Sequence, residues 1–65
     1  HIKHLKSPDE MINLESTIVY LSLKNKDEFW FYIDSSRDDK LFGFRKLNYR
    51  WIYQVVELTE INSYF

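Results

Sequence analysis

The chain predicts a mainly β fold, a small twisted antiparallel sheet of four to five strands with a short helix near its N-terminus. Three observations carry this. Twelve of the 65 residues are aromatic (two Trp, five Tyr, five Phe), and ten of these fall between Tyr20 and Tyr53. Apolar and β-branched residues alternate with period two through that stretch. Short polar clusters separate the alternating runs at spacings that suit hairpins.

Each element follows from local chemistry. Ser7-Pro8-Asp9-Glu10 is a helix entry: a capping serine, a proline at the first helical position and a carboxylate placed to reach back to the cap. Met11, Ile12 and Leu14 then support about two turns. A first strand is expected over residues 16–24, where Thr17, Val19, Leu21 and Leu23 alternate with Ile18, Tyr20 and Ser22. Asn25-Lys26-Asp27 is a polar turn. A second strand runs over residues 28–34, with Phe29, Phe31 and Ile33 on one side and Trp30 and Tyr32 on the other.

The polar stretch from Ser35 to Asp39 predicts a longer second turn, and a third strand covers residues 40–46. Gly43, between Phe42 and Phe44, marks a bulge or tight bend that lets the sheet coil. Leu47-Asn48 is a two-residue turn leading to a fourth strand over residues 49–57. The tail from Leu58 to Phe65 suits a short final strand or a turn of helix. A short helix followed by four or five meandering strands resembles, in outline, the SH3-like and Sm-like small open barrels. That resemblance implies a fold and no particular function.

Size and composition bound the function. Residues 1–65 are expected to form one small β domain, complete in itself or a piece of a longer protein. A core this small rarely supplies more than about 3–5 kcal/mol. The chain has no cysteine, so neither a disulfide nor a thiolate metal site adds to it. No apolar run reaches the roughly 18–20 residues of a membrane span. Localisation stays open. Nine basic against ten acidic residues give a net charge of −1, which provides no long-range attraction to nucleic acid or anionic lipid.

The expected core comprises Val19, Leu21, Leu23, Phe29, Phe31, Ile33, Phe42, Phe44, Trp51, Tyr53 and Val55. Ile18, Tyr20, Trp30, Tyr32, Ile52 and Val56 remain for the opposite side. An antiparallel sheet with one solvated face alternates apolar with polar residues, and this one does not. The six residues therefore form a candidate interaction face, covered by the sheet's own curl into a small open barrel, by the N-terminal helix, or by a protein partner or second copy of the chain.

A second candidate site lies in the segment 40–54, where Lys40, Arg45, Lys46 and Arg50 interleave with aromatics and no acidic residue intervenes. A positive groove with stacking platforms is how single-stranded nucleic acid is held. The ordinary reading is that the aromatics are core and the cations guard sheet edges.

Two further clusters carry less weight. His1 and His4 with Asp9 and Glu10 lack the supporting shell a metal site needs. Asp34, Asp38 and Asp39 with Arg37 read first as solvated turn residues. No catalytic, cofactor-binding or metal-ligating residue is assigned, and no cofactor. The expected function is a non-enzymatic protein-interaction or accessory module that self-associates or joins a larger assembly. Binding of single-stranded nucleic acid through residues 40–54 is the alternative.

Overall fold

The computed structural model describes residues 15–65. The expected N-terminal helix and the His1, His4, Asp9 and Glu10 cluster lie outside the described residues. Five strands follow in order: β1 (Thr17–Leu23), β2 (Glu28–Arg37), β3 (Lys40–Leu47), β4 (Arg50–Glu57) and β5 (Ile61–Tyr64), with a single 3-10 helical turn, Leu58–Glu60, before the last. They form one antiparallel open sheet in the order β4-β3-β2-β1-β5. The tail, expected to be a short final strand or a turn of helix, is a turn of helix followed by a short strand.

Turn chemistry explains the hairpins. Between β1 and β2, Asn25 Oδ1 accepts the Asp27 amide at 2.9 Å, and the Leu23 amide donates to the Asp27 carbonyl at 2.8 Å. The β2–β3 connection is only Asp38-Asp39, both left-handed at φ 53° and 60°, as a type I′ hairpin turn requires. Ser35 and Ser36, expected in a longer turn, instead extend β2. The β3–β4 loop is Asn48-Tyr49, one residue later than expected, with Asn48 at φ 57°.

The sheet must curl, and chain length shows why. The edge strands β4 and β5 would stand about 19 Å apart in a flat sheet with three strands between them. The 3-10 turn joining them advances only about 8 Å from Glu57 to Ile61. Its ends are tied down: the Leu58 amide donates to the Asp39 carbonyl and the Lys24 amide to the Glu60 carbonyl, at 2.9 and 2.8 Å. Glu57 and Glu60 cap the turn reciprocally.

The inner face of this curl is the core. Val19, Leu21, Leu23, Phe29, Phe31, Ile33, Leu41, Val56, Ile61 and Tyr64 are buried there, with Leu58 packed against them. The β1 and β2 contributions match the sequence expectation, and those of β3 and β4 are reversed. Phe42, Phe44, Trp51, Tyr53 and Val55 lie on the outer face, whereas Leu41 and Val56 are fully buried inside.

One extra residue in β2 causes the reversal. Near the turn, Arg37 stands opposite Lys40, Ser36 opposite Leu41 and Ser35 opposite Phe42; beyond a register shift between Ile33 and Ser35, Ile33 faces Gly43 and Tyr32 faces Phe44. Continued without the shift, the same ladder would set Ile33 against Phe44 and turn Phe44 inward. Gly43, opposite the bulge, allows the strands to approach. A Cβ built there would overlap the Tyr32 carbonyl oxygen and press on the Phe31 ring.

Candidate interaction face

On the outer face a single row crosses four strands: Ile18 on β1 stands opposite Tyr32 on β2, Tyr32 opposite Phe44 on β3, and Phe44 opposite Tyr53 on β4. Tyr20 and Trp30 form a second pair beside it, their rings edge to face at 5.1 Å. Phe44 and Tyr53 pack the same way at 5.5 Å, and Tyr32 and Phe44 are tilted at 6.5 Å. Such contacts hold the rings in place without covering them. Tyr53 is 56% exposed, Ile18 55%, Trp30 45% and Trp51 42%. Ile18, Tyr32, Phe44 and Trp51 line a shallow hollow of about 290 Å³.

Of the six residues expected on this face, Ile18, Tyr20, Trp30 and Tyr32 are on it. Val56 is not: it belongs to the core, because β4 follows the reversed orientation of β3. Ile52 shares the inner side of β4 with Val56, at the rim and partly exposed, opposite Arg45. Sequence reasoning missed Phe42, Phe44, Trp51, Tyr53 and Val55. No sequence signal marked them, because Asp34, where the bulge falls, continues the outward alternation of Trp30 and Tyr32.

The four basic residues of segment 40–54 do not converge. Arg45 is engaged on the inner side, where Nη1 and Nη2 donate to the two Asp27 carboxylate oxygens at 2.9 and 3.3 Å and the guanidinium lies 4.1 Å from the Phe29 ring centroid. Lys46 stands over Trp51 on the outer face, its Nζ 5.1 Å from the ring. Lys40 lies at the far end of β3, opposite Glu57, and Arg50 is exposed beside the β3–β4 turn. Arg37 adds an outer cation, 4.1 Å above the Phe42 ring.

The carboxylates have local roles. Glu28 accepts from the Tyr20 hydroxyl at 3.3 Å, and Glu15 from Ser36 at 3.1 Å. Desolvation, and then the charge and hydrogen bond of Glu28, raise the Tyr20 hydroxyl above its usual 10.0. Asp38 and Asp39 occupy the I′ turn and, with Ser36, Arg37, Lys40 and Leu58, line a hollow of about 140 Å³. Asp34 stands apart from it at the bulge. Among the described residues no group of three or more His, Asp or Glu side chains is placed to hold a metal. No helix among them is long and apolar enough to cross a membrane.

No protein-family model matches this chain, and no curated protein or solved structure is significantly similar to it.

Proposed function

We propose that this chain is a non-enzymatic interaction module that docks a protein surface on its outer sheet face. The observation that carries the reading is the four-strand row of Ile18, Tyr32, Phe44 and Tyr53 on the side of the sheet that the core does not use. Ile18 and Tyr53 are exposed at its ends, Tyr32 and Phe44 are half-buried between them, and the exposed Trp30 and Trp51 flank it. Contiguous apolar surface of this kind is uncommon on a monomer, and Trp and Tyr are preferred anchors at protein contacts. The local partners of Asp27, Glu28, Glu57 and Glu60 support a non-enzymatic role, since each carboxylate holds a turn, a cap or a neighbouring side chain. The strand order and the 3-10 turn before β5 support the likeness to SH3-like and Sm-like small barrels.

The nucleic-acid alternative retains Lys46 beside the aromatic row and loses Arg45 to Asp27. A mixed face of Ile18, Val55 and aromatic rings suits protein better than a chain of phosphates.

Paired affinity capture tests the proposal, with the wild-type chain and Tyr53→Lys as baits in the same extract. Proteins held by the wild type and lost by the variant, with unchanged circular dichroism, are the expected result. Equal capture by both baits would contradict it.

A further inference from the structure

We infer that the surface met by the outer face is a second copy of this chain, docked about a two-fold axis, with Tyr49 of each copy seated in the hollow of the other. This rests on the interaction reading above and deepens it. The hollow lined by Ile18, Tyr32, Phe44 and Trp51 measures about 290 Å³ and is shallow, open and apolar, with room for an inserted aromatic side chain.

The chain carries such a side chain. Tyr49, in the two-residue turn between β3 and β4, is 97% exposed, the most exposed large apolar residue of those described. Leaving a tyrosine wholly in water forfeits the burial of about 150–250 Å² that makes the residue useful. Knob and hollow are close in the chain, since Trp51 lines the hollow two residues after Tyr49. A single two-fold rotation therefore satisfies both contacts at once, as an isologous interface requires.

Charge agrees with self-docking. Near this end of the sheet the outer face carries Lys46 opposite Trp51 and Glu28 opposite Ser22, and Arg50 is exposed beside the turn. A two-fold arrangement sets the Glu28 side of one copy against the Lys46 and Arg50 side of the other. The net charge of −1 adds almost no repulsion between copies.

Sedimentation equilibrium of the purified chain from about 1 μM to about 1 mM reads the association constant directly. The wild type is expected to reach twice the monomer mass. Tyr49→Asp and Trp51→Lys should each weaken the dimer by about 30-fold or more, the usual effect of losing a central aromatic anchor. Both side chains are exposed, so thermal midpoints measured at dilutions where the wild type is monomeric should be little changed.

The equimolar mixture of the two variants is the sharper test. One intact knob then meets one intact hollow, and the second contact sets the introduced aspartate of one copy against the introduced lysine of the other. The mixture should therefore regain dimer that neither variant forms alone. A fold defect cannot produce that recovery. A wild-type monomer at about 1 mM overturns the inference, including one that binds a single-stranded oligonucleotide instead. So does a dimer indifferent to both substitutions, or a mixture that stays monomeric. If the protein is monomeric yet the Tyr53-dependent capture holds, the partner is a different protein and the interaction reading survives.

Discussion

Alternate residues of β2 meet opposite fates: Phe29 and Phe31 are buried on the inner face, while Trp30 is exposed and Tyr32 half-buried on the outer. The outer residues are no less apolar, so hydrophobicity does not separate them. Curvature does. The short 3-10 link from β4 to β5 closes the sheet around its inner side, where Leu41, Val56, Ile61 and Tyr64 complete the enclosure. Nothing among the described residues encloses the outer side to the same degree, and the aromatic rings there are held by contacts with one another and by Arg37 and Lys46 over Phe42 and Trp51.

If this contrast is right, substitutions of similar violence should have opposite consequences on the two faces. Phe31→Ala removes a fully buried ring and should cost about 3–5 kcal/mol, close to the whole stability of so small a core. Chemical denaturation should find the variant largely unfolded. Tyr53→Lys, by contrast, should shift stability by no more than about 1.5 kcal/mol, the worth of its edge-to-face contact with Phe44. A comparable loss from Tyr53→Lys would mean that the outer face contributes to folding.

The bulge is the next place to press. Gly43→Ala drives a methyl into the Tyr32 carbonyl and the Phe31 ring, and should cost about 1–3 kcal/mol by overpacking. A neutral Gly43→Ala would mean that β2 and β3 do not approach as closely as the register requires.

The smallest effect is alkaline. Because the folded state raises the Tyr20 pKa above 10.0, it favours the protonated phenol. That contribution is complete below the unfolded value and is lost as pH rises through the folded one. Stability should therefore fall on the alkaline side of about pH 10, and Tyr20→Phe should flatten that limb in pH-dependent melting.

The legibility of the fold in its sequence follows the same division. In β1, Val19, Leu21 and Leu23 alternate with Tyr20 and Ser22, and in β2 the pattern of Phe29, Phe31 and Ile33 is dense enough to orient both strands. The first hairpin was legible from Asn25 to Asp27, whereas the second was expected over the whole polar stretch from Ser35 to Asp39, of which Ser35, Ser36 and Arg37 are strand, and the third one residue early. In β3 and β4 the more apolar alternation, Phe42 and Phe44 with Trp51, Tyr53 and Val55, lies outside, while the inner one of Leu41, Gly43 and Arg45 with Ile52, Gln54 and Val56 is broken by Gly, Arg and Gln. Phe42, Phe44, Trp51 and Tyr53 read as core for that reason, although burial is set by register and not by apolar content. A single added residue beside Asp34 inverted both strands, and no periodicity rule detects one residue. The candidate face was half legible: Ile18, Tyr20, Trp30 and Tyr32 were visible in the sequence, while its β3 and β4 half depended on the bulge.

The two tryptophans of the chain, Trp30 and Trp51, both lie on the outer face, so indole fluorescence reports on it alone. Acrylamide quenching across a protein dilution series is the most direct test of the claim that this face meets a second copy of the chain. The account predicts strongly quenched, red-shifted emission in dilute protein, with protection and a blue shift as concentration rises. Emission already shielded at the lowest concentration, or exposed and unchanged at the highest, would contradict it.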